Sequence, residues 1–148
     1  MENYVLIAVT ETWWDESHYW SMVIDGYKLF KRVRQGRRGG GVALYAKTRI
    51  DCVELSFKSS NAQVKSLWVE IRHQVNEGKF MVGVYYRPSD QGDEVDEEFI
   101  LQLQKPSCLQ APVWIADINH LDICWKSSTA NCEQSRKLLE CVEYIFLV

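Results

Sequence analysis

The 148-residue sequence has no apolar run long enough to cross a membrane. The longest strongly apolar run near its start covers residues 4–9, far short of the roughly 20 residues that a bilayer span requires. Glu2 and the lack of a basic segment at the N-terminus argue against a secretory signal. We therefore expect an intracellular protein, in the nucleus or cytoplasm, with no membrane partner.

Cysteine and histidine are too scattered to form the familiar metal or disulfide sites. The five cysteines are an odd number without a C-x-x-C pair, which argues against a disulfide framework or a structural zinc site. The histidines at 18, 73 and 120 fit no metal-ligand spacing. The glycines at 39–41 lack the spacing of a phosphate-binding loop and lead into a predicted strand instead of a helix.

The remaining composition is that of one globular domain. Apolar residues make up 47% of the chain, and six Trp, seven Tyr and five Phe can fill a core. We find no repeat and no linker-like segment. Periodicity predicts strands at 4–9, 27–33, 42–46, 66–72, 79–86 and 113–118, and helices at 97–104 and 132–146. This order predicts a strand-rich α/β or α+β fold.

The charge is distributed unevenly along the chain. Residues 27–50 contain eight basic side chains and no acidic one, whereas six of the nine residues 90–98 are acidic. A basic segment on a mildly acidic protein is a candidate contact for a polyanion such as DNA. The alternative is a solvated loop, which charge alone slightly favours, so the neighbouring residues have to decide between the two.

A carboxylate and a carboxamide follow the last predicted strand. Asp117 and Asn119 share the face of Val113 and Ile115, because side chains alternate along a strand. Such a pair suits cation or phosphate chemistry, since carboxylate oxygens hold hard cations and an amide hydrogen-bonds a phosphate oxygen. Asx residues after a strand are also common turn formers.

Glu11 ends the first predicted strand in the same manner. It is in phase with Val5, Ile7 and Val9, and it could ligate Mg²⁺ if its strand end lay beside that of Asp117. A strand-end acid in solvent is the alternative.

Tyr86 and Arg87 end the strand that Pro88 terminates. A phenol and a guanidinium at a strand end could both donate hydrogen bonds to phosphate. A half-buried strand tyrosine with a structural role is the alternative.

Taken in order, these motifs resemble the endonuclease domain of LINE-type (non-LTR, jockey-like) retrotransposons. That domain belongs to the exonuclease–endonuclease–phosphatase superfamily, with the apurinic/apyrimidinic endonucleases and DNase I. The resemblance covers nearly the whole chain and is carried by Ile7-Ala-Val-Thr-Glu-Thr-Trp13, Asp25-Gly-Tyr27, Arg38-Gly-Gly-Gly-Val-Ala-Leu-Tyr45, Leu67-Trp-Val-Glu-Ile71, Val82-Gly-Val-Tyr-Tyr-Arg-Pro88 and Ala116-Asp-Ile-Asn119.

The resemblance implies a four-layer α/β sandwich that nicks DNA with Mg²⁺ (Mn²⁺ being possible) to prime reverse transcription. By motif position, Glu11 is similar to the metal-binding glutamate and Tyr86 to the phosphate-contacting tyrosine of the family. Asp117 resembles the aspartate that activates or orients the attacking water, and Asn119 resembles its phosphate-binding partner.

The chain departs from the family pattern at three points. The family's Gly-Asp-Phe-Asn is replaced by Ala116-Asp-Ile-Asn119. The family's first strand, with a metal-binding asparagine, and its last strands, with a Ser-Asp-His motif, have no counterpart here. We therefore expect residues 1–148 to form a single partial domain, an incomplete sandwich that holds Mg²⁺ weakly and can self-associate through exposed sheet edges.

Two interpretations of function follow from this sequence. The first is a piece of a DNA endonuclease, and the second is a catalytically inactive retrotransposon-derived remnant that keeps the scaffold and weak nucleic-acid binding. Because general acid–base assistance is worth about 10²–10⁴-fold in rate, the missing histidine segment leads us to expect no metal-dependent nicking of supercoiled DNA. Nicking that Asp117→Asn abolishes would contradict this.

The basic segment generates the first prediction. Replacing Arg32, Arg34, Arg37 and Arg38 together by glutamine should weaken DNA binding. It should also reduce the slope of log affinity against log salt by about 0.9 for each phosphate that the variant no longer neutralises. Fluorescence anisotropy of a labelled duplex at several salt concentrations measures both quantities, and an unchanged affinity and slope would exclude these arginines as DNA-binding residues.

Overall fold

The computed structural model describes residues 5–12, 22–33, 40–55, 66–72, 78–104 and 112–146. Its strands are β1 (Leu6–Thr12), β2 (Tyr27–Arg32), β3 (Gly41–Lys47), β4 (Asp51–Leu55), β5 (Ser66–Arg72), β6 (Lys79–Arg87), β7 (Pro112–Ile118), β8 (Ile123–Cys124) and β9 (Thr129–Ala130). Its helices are α1 (Asp93–Gln104), between β6 and β7, and α2 (Glu133–Phe146), after β9. The mixed fold class expected from the sequence is confirmed.

The differences from the predicted elements have local causes. The helix α1 begins at Asp93, four residues before the predicted start, because the whole acidic run suits a helix N-terminus. Strand β4 was not predicted, since its residues show no two-residue apolar alternation and most are exposed at a sheet edge. Strands β8 and β9 are two residues each, too short to produce a periodic signal.

The long strands form two sheets. Sheet A has the order β1-β3-β2 and is antiparallel throughout. Sheet B has the order β4-β5-β6-β7, in which β6 and β7 are parallel and the other pairs are antiparallel. Strands β8 and β9 make a separate two-stranded hairpin. Helix α1 supplies the crossover that a parallel pair of strands needs.

The two sheets pack face to face around an apolar core. This inter-sheet core contains Val42 and Leu44 from sheet A and Leu67, Val69, Ile71, Val82, Val84 and Tyr86 from sheet B. Alternation along β6 therefore places Tyr86 on the side of sheet A, at the end of the apolar row. Strand β1 contacts both β6 and β7 across this interface.

A second core lies between the other face of sheet B and the helices. It joins Trp68, Trp114 and Tyr85 of the sheet to Phe99 of α1 and Leu138 of α2. The Trp68 and Trp114 rings meet edge to face, with centroids 4.0 Å apart. Sheet A, sheet B and the helices are thus three of the layers of the expected sandwich.

The β7 edge of sheet B leaves apolar side chains exposed. Strand β7 is an edge strand of sheet B within the described residues, and Val113 and Ile115 on its inner face are 46% and 38% exposed. Self-association through exposed sheet edges stays a prediction.

None of the helices in the described part of the chain is long and apolar enough to span a membrane.

Gly83 generates a stability prediction, because two tryptophans close over it. It pairs with Trp68 on one side and Trp114 on the other, and an added Cβ would lie 2.8 and 2.9 Å from their rings. Gly83→Ala should therefore lower the free energy of unfolding by about 1–3 kcal/mol through overpacking. Urea denaturation measures this change. Gly78→Ala is the matched control, since no atom lies within 4 Å of its added Cβ, and an equal loss in both variants would contradict the prediction.

Candidate active site

The parallel pairing of β6 and β7 places the predicted phosphate-site residues side by side. Tyr86 is the register partner of Asp117, so the two side chains project from one face at the same edge of the sheet. Asn119 follows β7 by one residue, and its backbone N–H donates to the carbonyl of Arg87 at 3.1 Å. Side chains from two strands thus reach one place through a single register.

Glu11 reaches the same place through an irregularity in β1. The β1–β3 register shifts between Val9 and Thr12, which is the mark of a β-bulge. Glu11 lies in this bulge with φ 55°, a left-handed conformation that is unfavourable for a residue with a side chain. Backbone strain of this kind is concentrated at functional sites.

The bulge corrects the predicted faces of β1. The sequence grouped Glu11 with Val5, Ile7 and Val9 by strict alternation, but Leu6 and Ala8 are the residues that pack against the inter-sheet core. Strict alternation from Leu6 and Ala8 would turn Glu11 away from sheet B. The extra residue of the bulge reverses this and turns the carboxylate toward Tyr86.

The Tyr86 hydroxyl is the point at which the site residues meet. It donates to the Glu11 carboxylate and accepts from the Asn119 side-chain amide. Burial raises the pKa of Tyr86, and the negative charges of Glu11 and Asp117 raise it further, against the opposing effect of the Asn119 hydrogen bond. The phenol therefore keeps its proton at neutral pH and can donate it in a hydrogen bond.

Thr10 is a site residue that the sequence reasoning missed. Its hydroxyl Oγ1 donates to Oδ2 of Asp117 at 3.3 Å and so links β1 to β7. In the sequence, only its position immediately before Glu11 could have indicated Thr10 as a candidate. The bond shows that the carboxyl-bearing ends of β1 and β7 are neighbours, which the nuclease interpretation requires.

Arg87 takes a different position from the one predicted. Its side chain is 2% exposed and forms a two-pronged ion pair with Asp96, with Nε–Oδ1 2.7 Å and Nη2–Oδ2 2.8 Å. The prediction that Arg87 binds nucleic acid conflicts with this geometry, because the buried guanidinium faces α1. Removing one partner of such a buried pair typically costs about 3–5 kcal/mol.

Further polar groups surround this ion pair. Gln91 Nε2 donates to Tyr85 Oη and to Asp96 Oδ1, both at 2.8 Å. The acidic residues of α1 were assigned to the helix N-terminus in general, and nothing in the sequence singled out Asp96, which is fully buried.

His120 packs against the same ion pair as a loop histidine. Its Nδ1 accepts from the Asp122 N–H, and its Nε2 lies 3.8 Å from Asp96 Oδ2 without a hydrogen bond among the described residues. Burial and the nearby Arg87 charge lower the pKa of His120. The unperturbed pKa of histidine is about 6.5, already below 7. Because the pKa of His120 is lower still, the imidazole is neutral at pH 7.

The basic segment is only partly described. Arg32 ends β2 with a half-exposed side chain, and its Nη2 lies 3.0 Å from Oε1 of Glu54 on β4. Arg34, Arg37 and Arg38 lie outside the described residues. An exposed pair of this kind contributes little stability, so Arg32 can exchange Glu54 for a phosphate at small cost.

The carboxylates of the site fit a hard divalent cation shared with a substrate. No cluster of three or more His, Cys, Asp or Glu side chains suited to a metal occurs among the described residues. Mg²⁺ commonly binds through only one or two carboxylates, and substrate phosphate and water supply its other ligands. It therefore needs fewer protein ligands than such a cluster provides. Glu11 and Asp117, which both act on the Tyr86 hydroxyl, supply oxygens of that type.

The strained backbone at Glu11 generates a prediction with an unusual sign. Glu11→Gly and Glu11→Ala remove the same carboxylate, but only glycine adopts a left-handed conformation without cost. The glycine variant should be the more stable by about 1 kcal/mol in urea denaturation. Val9, which pairs regularly with Ala43, is the control position. There Val9→Ala should be more stable than Val9→Gly. Greater stability of Glu11→Ala would show that residue 11 is not in the left-handed conformation.

Known proteins match this chain in structure but not in sequence. No family model matches the chain, and no curated protein matches it. The endonuclease domain of TRAS1, a telomere-specific non-LTR retrotransposon, is similar with a TM-score of 0.63 and 13% identity over 95% of this chain. The chain spans 57% of the length of that domain.

Two other solved structures are similar over a smaller part of the chain. The human Nocturnin catalytic domain with bound sulfate matches with a TM-score of 0.53 and 12% identity, over 78% of this chain and 51% of its own. ANGEL2, a 2',3'-cyclic phosphatase in complex with adenosine-2',3'-vanadate, matches with a TM-score of 0.55 and 16% identity, over 78% and 40%. The chain therefore shares the DNase I-like α/β-sandwich fold of these structures, which is the fold that the resemblance predicted.

Proposed function

We propose that this chain forms the metal- and phosphate-binding part of a DNA endonuclease domain of the non-LTR retrotransposon type. The observation that supports the proposal is the convergence of Glu11, Asp117 and Asn119 around the Tyr86 hydroxyl. The residues come from three separate parts of the chain, and each carries a group suited to phosphodiester hydrolysis.

The carboxylates supply the negative part of the proposed site. Glu11 would hold a divalent cation, Mg²⁺ or Mn²⁺, and Asp117 would orient the attacking water and accept its proton. A cation bound there would offset charge on the scissile phosphate. The Thr10 hydroxyl donates a 3.3 Å hydrogen bond to the Asp117 carboxylate and so helps to orient it.

The neutral groups supply the phosphate contacts. Asn119 is exposed beside Tyr86, and its amide can donate to a non-bridging phosphate oxygen. Tyr86 keeps its proton because burial and two carboxylates raise its pKa, so it donates to the same phosphate when substrate displaces Glu11 as its acceptor. Both donors stabilise charge that develops on phosphate oxygens.

The neighbours in the structure comparison support phosphoester chemistry. The TRAS1 domain is an endonuclease, and ANGEL2 is a cyclic phosphatase seen with a vanadate compound. Nocturnin was seen with sulfate, a tetrahedral oxyanion like phosphate. DNA is the substrate we favour, because the retrotransposon-type motifs and the basic residues of 27–50 point to it.

Metal retention tests this proposal without requiring turnover. The chain should retain Mn²⁺ in the presence of a short DNA duplex, with free Mn²⁺ measured by its electron paramagnetic resonance signal. Glu11→Gln should raise the Mn²⁺ dissociation constant by about tenfold or more, equal to about 1.4 kcal/mol. Asp117→Asn should act in the same direction.

Glu140→Gln is the matched control for charge. Glu140 is exposed on α2, which packs against the outer face of sheet B, so this variant should leave Mn²⁺ affinity unchanged. Equal effects of Glu11→Gln and Glu140→Gln would refute the metal site. DNA binding with no Mn²⁺ retention would favour the inactive remnant that keeps only polyanion affinity.

A further inference from the structure

Arg87 lies directly behind the candidate site, on the opposite face of β6 from Tyr86. A guanidinium has five N–H groups, and all five are donated within the chain. Nε and Nη2 donate to Asp96, Nη2 also to the Gln91 carbonyl, and Nη1 to the carbonyls of Pro88 and Asn119. One side chain therefore ties together the end of β6, the turn before α1, the helix itself and the segment after β7.

The contact with Asn119 runs in both directions. Arg87 Nη1 donates to the Asn119 carbonyl at 2.6 Å, and the Asn119 N–H donates to the Arg87 carbonyl at 3.1 Å. The backbone of residue 119 is thus held on both sides by one residue. Asn119 lies beyond the last residue of β7, where strand pairing no longer fixes its position.

Asp96 fixes the orientation of the guanidinium in turn. Its carboxylate is fully buried and accepts from two nitrogens of Arg87, at 2.7 and 2.8 Å. The fork geometry of such a pair leaves the guanidinium a single orientation. The edge that points toward Asn119 is therefore set by the position of α1.

We infer that Arg87 is a positioning residue, whose guanidinium places the Asn119 carboxamide against Tyr86 and a bound phosphate without touching DNA. The inference rests on the proposed function, in which Asn119 contacts the substrate. It explains why a charged side chain at the end of β6 is buried among helix residues while the neighbouring Tyr86 faces the site.

Arg87→Lys is the direct variant for testing this inference. Lysine keeps the positive charge but has three donors on one nitrogen, so it cannot bond Asp96 and the Asn119 carbonyl in the same geometry. The affinity for a labelled DNA duplex with Mn²⁺ should fall by about tenfold, since small misplacements in a preorganised site are costly. In an Asn119→Ala background, the same substitution should change affinity by less than about twofold, because coupled residues are not additive.

Tyr85→Phe is the matched control for a loss of packing or stability. It removes the hydroxyl that accepts from Gln91 in the same polar group, yet Tyr85 makes no hydrogen bond with Asn119 in the described part of the chain. It should leave DNA affinity unchanged. Should Arg87→Lys fail to fold, Asp96→Asn replaces it, because it loosens the same guanidinium without changing side-chain size.

An equal loss of affinity in the wild-type and Asn119→Ala backgrounds, or no loss in either, would overturn the inference. Failure of the proposed function is recognised separately, because the wild type would then not retain Mn²⁺ in the presence of the duplex. Amide hydrogen exchange then decides. Arg87→Lys should speed exchange at the Asn119 amide on the order of a hundredfold relative to Leu44 in β3, and an unchanged ratio of the two rates would overturn the inference.

Discussion

The parallel pairing of β6 with β7 is the constraint on which the candidate site depends. Its register sets Tyr86 beside Asp117 and brings Asn119 one step past the strand end. Arg87 extends that order beyond the ladder, because its side chain bonds to the carbonyl of Asn119 and to Asp96 of the crossover helix. A slip of one residue in this register would turn Asp117 to the helix side and separate the group.

The bulge in β1 completes the site at a local cost. A regular strand would present Glu11 to the face opposite Leu6 and Ala8, away from Tyr86. The left-handed conformation at residue 11 turns the carboxylate inward. Strain of about 1–3 kcal/mol is typical for such a conformation, and the packing of β1 against β3, β6 and β7 maintains it.

The site and its support separate by face of sheet B. On the side of sheet A, the carboxylates of Glu11 and Asp117 meet the Tyr86 phenol and raise its pKa. On the helix side, the Arg87 guanidinium is neutralised by Asp96. The positive charge of Arg87 therefore has a structural role on the helix side of sheet B. The negative charges of Glu11 and Asp117 lie on the side of sheet A, where a cation and a phosphate would bind.

The sequence by itself determined the order of most of the long elements and singled out candidate site residues. Apolar alternation located strands such as β5 and β6, and the strand-end positions of Glu11, Tyr86, Asp117 and Asn119 marked them as candidates. These signals are local, since alternation and strand ends depend on neighbouring residues only. The edge strand β4 gave no such signal, because it is mostly exposed.

Only the tertiary structure decided which way Glu11 and Arg87 face. The direction of Glu11 depends on a bulge against β3, and alternation alone assigned it to the wrong group of residues. The burial of Arg87 depends on its ion pair with Asp96 of α1. The sequence does not indicate against which face of the sheet this helix packs. Both outcomes follow from contacts between segments that are separate in the chain, and local periodicity carries no information about such contacts.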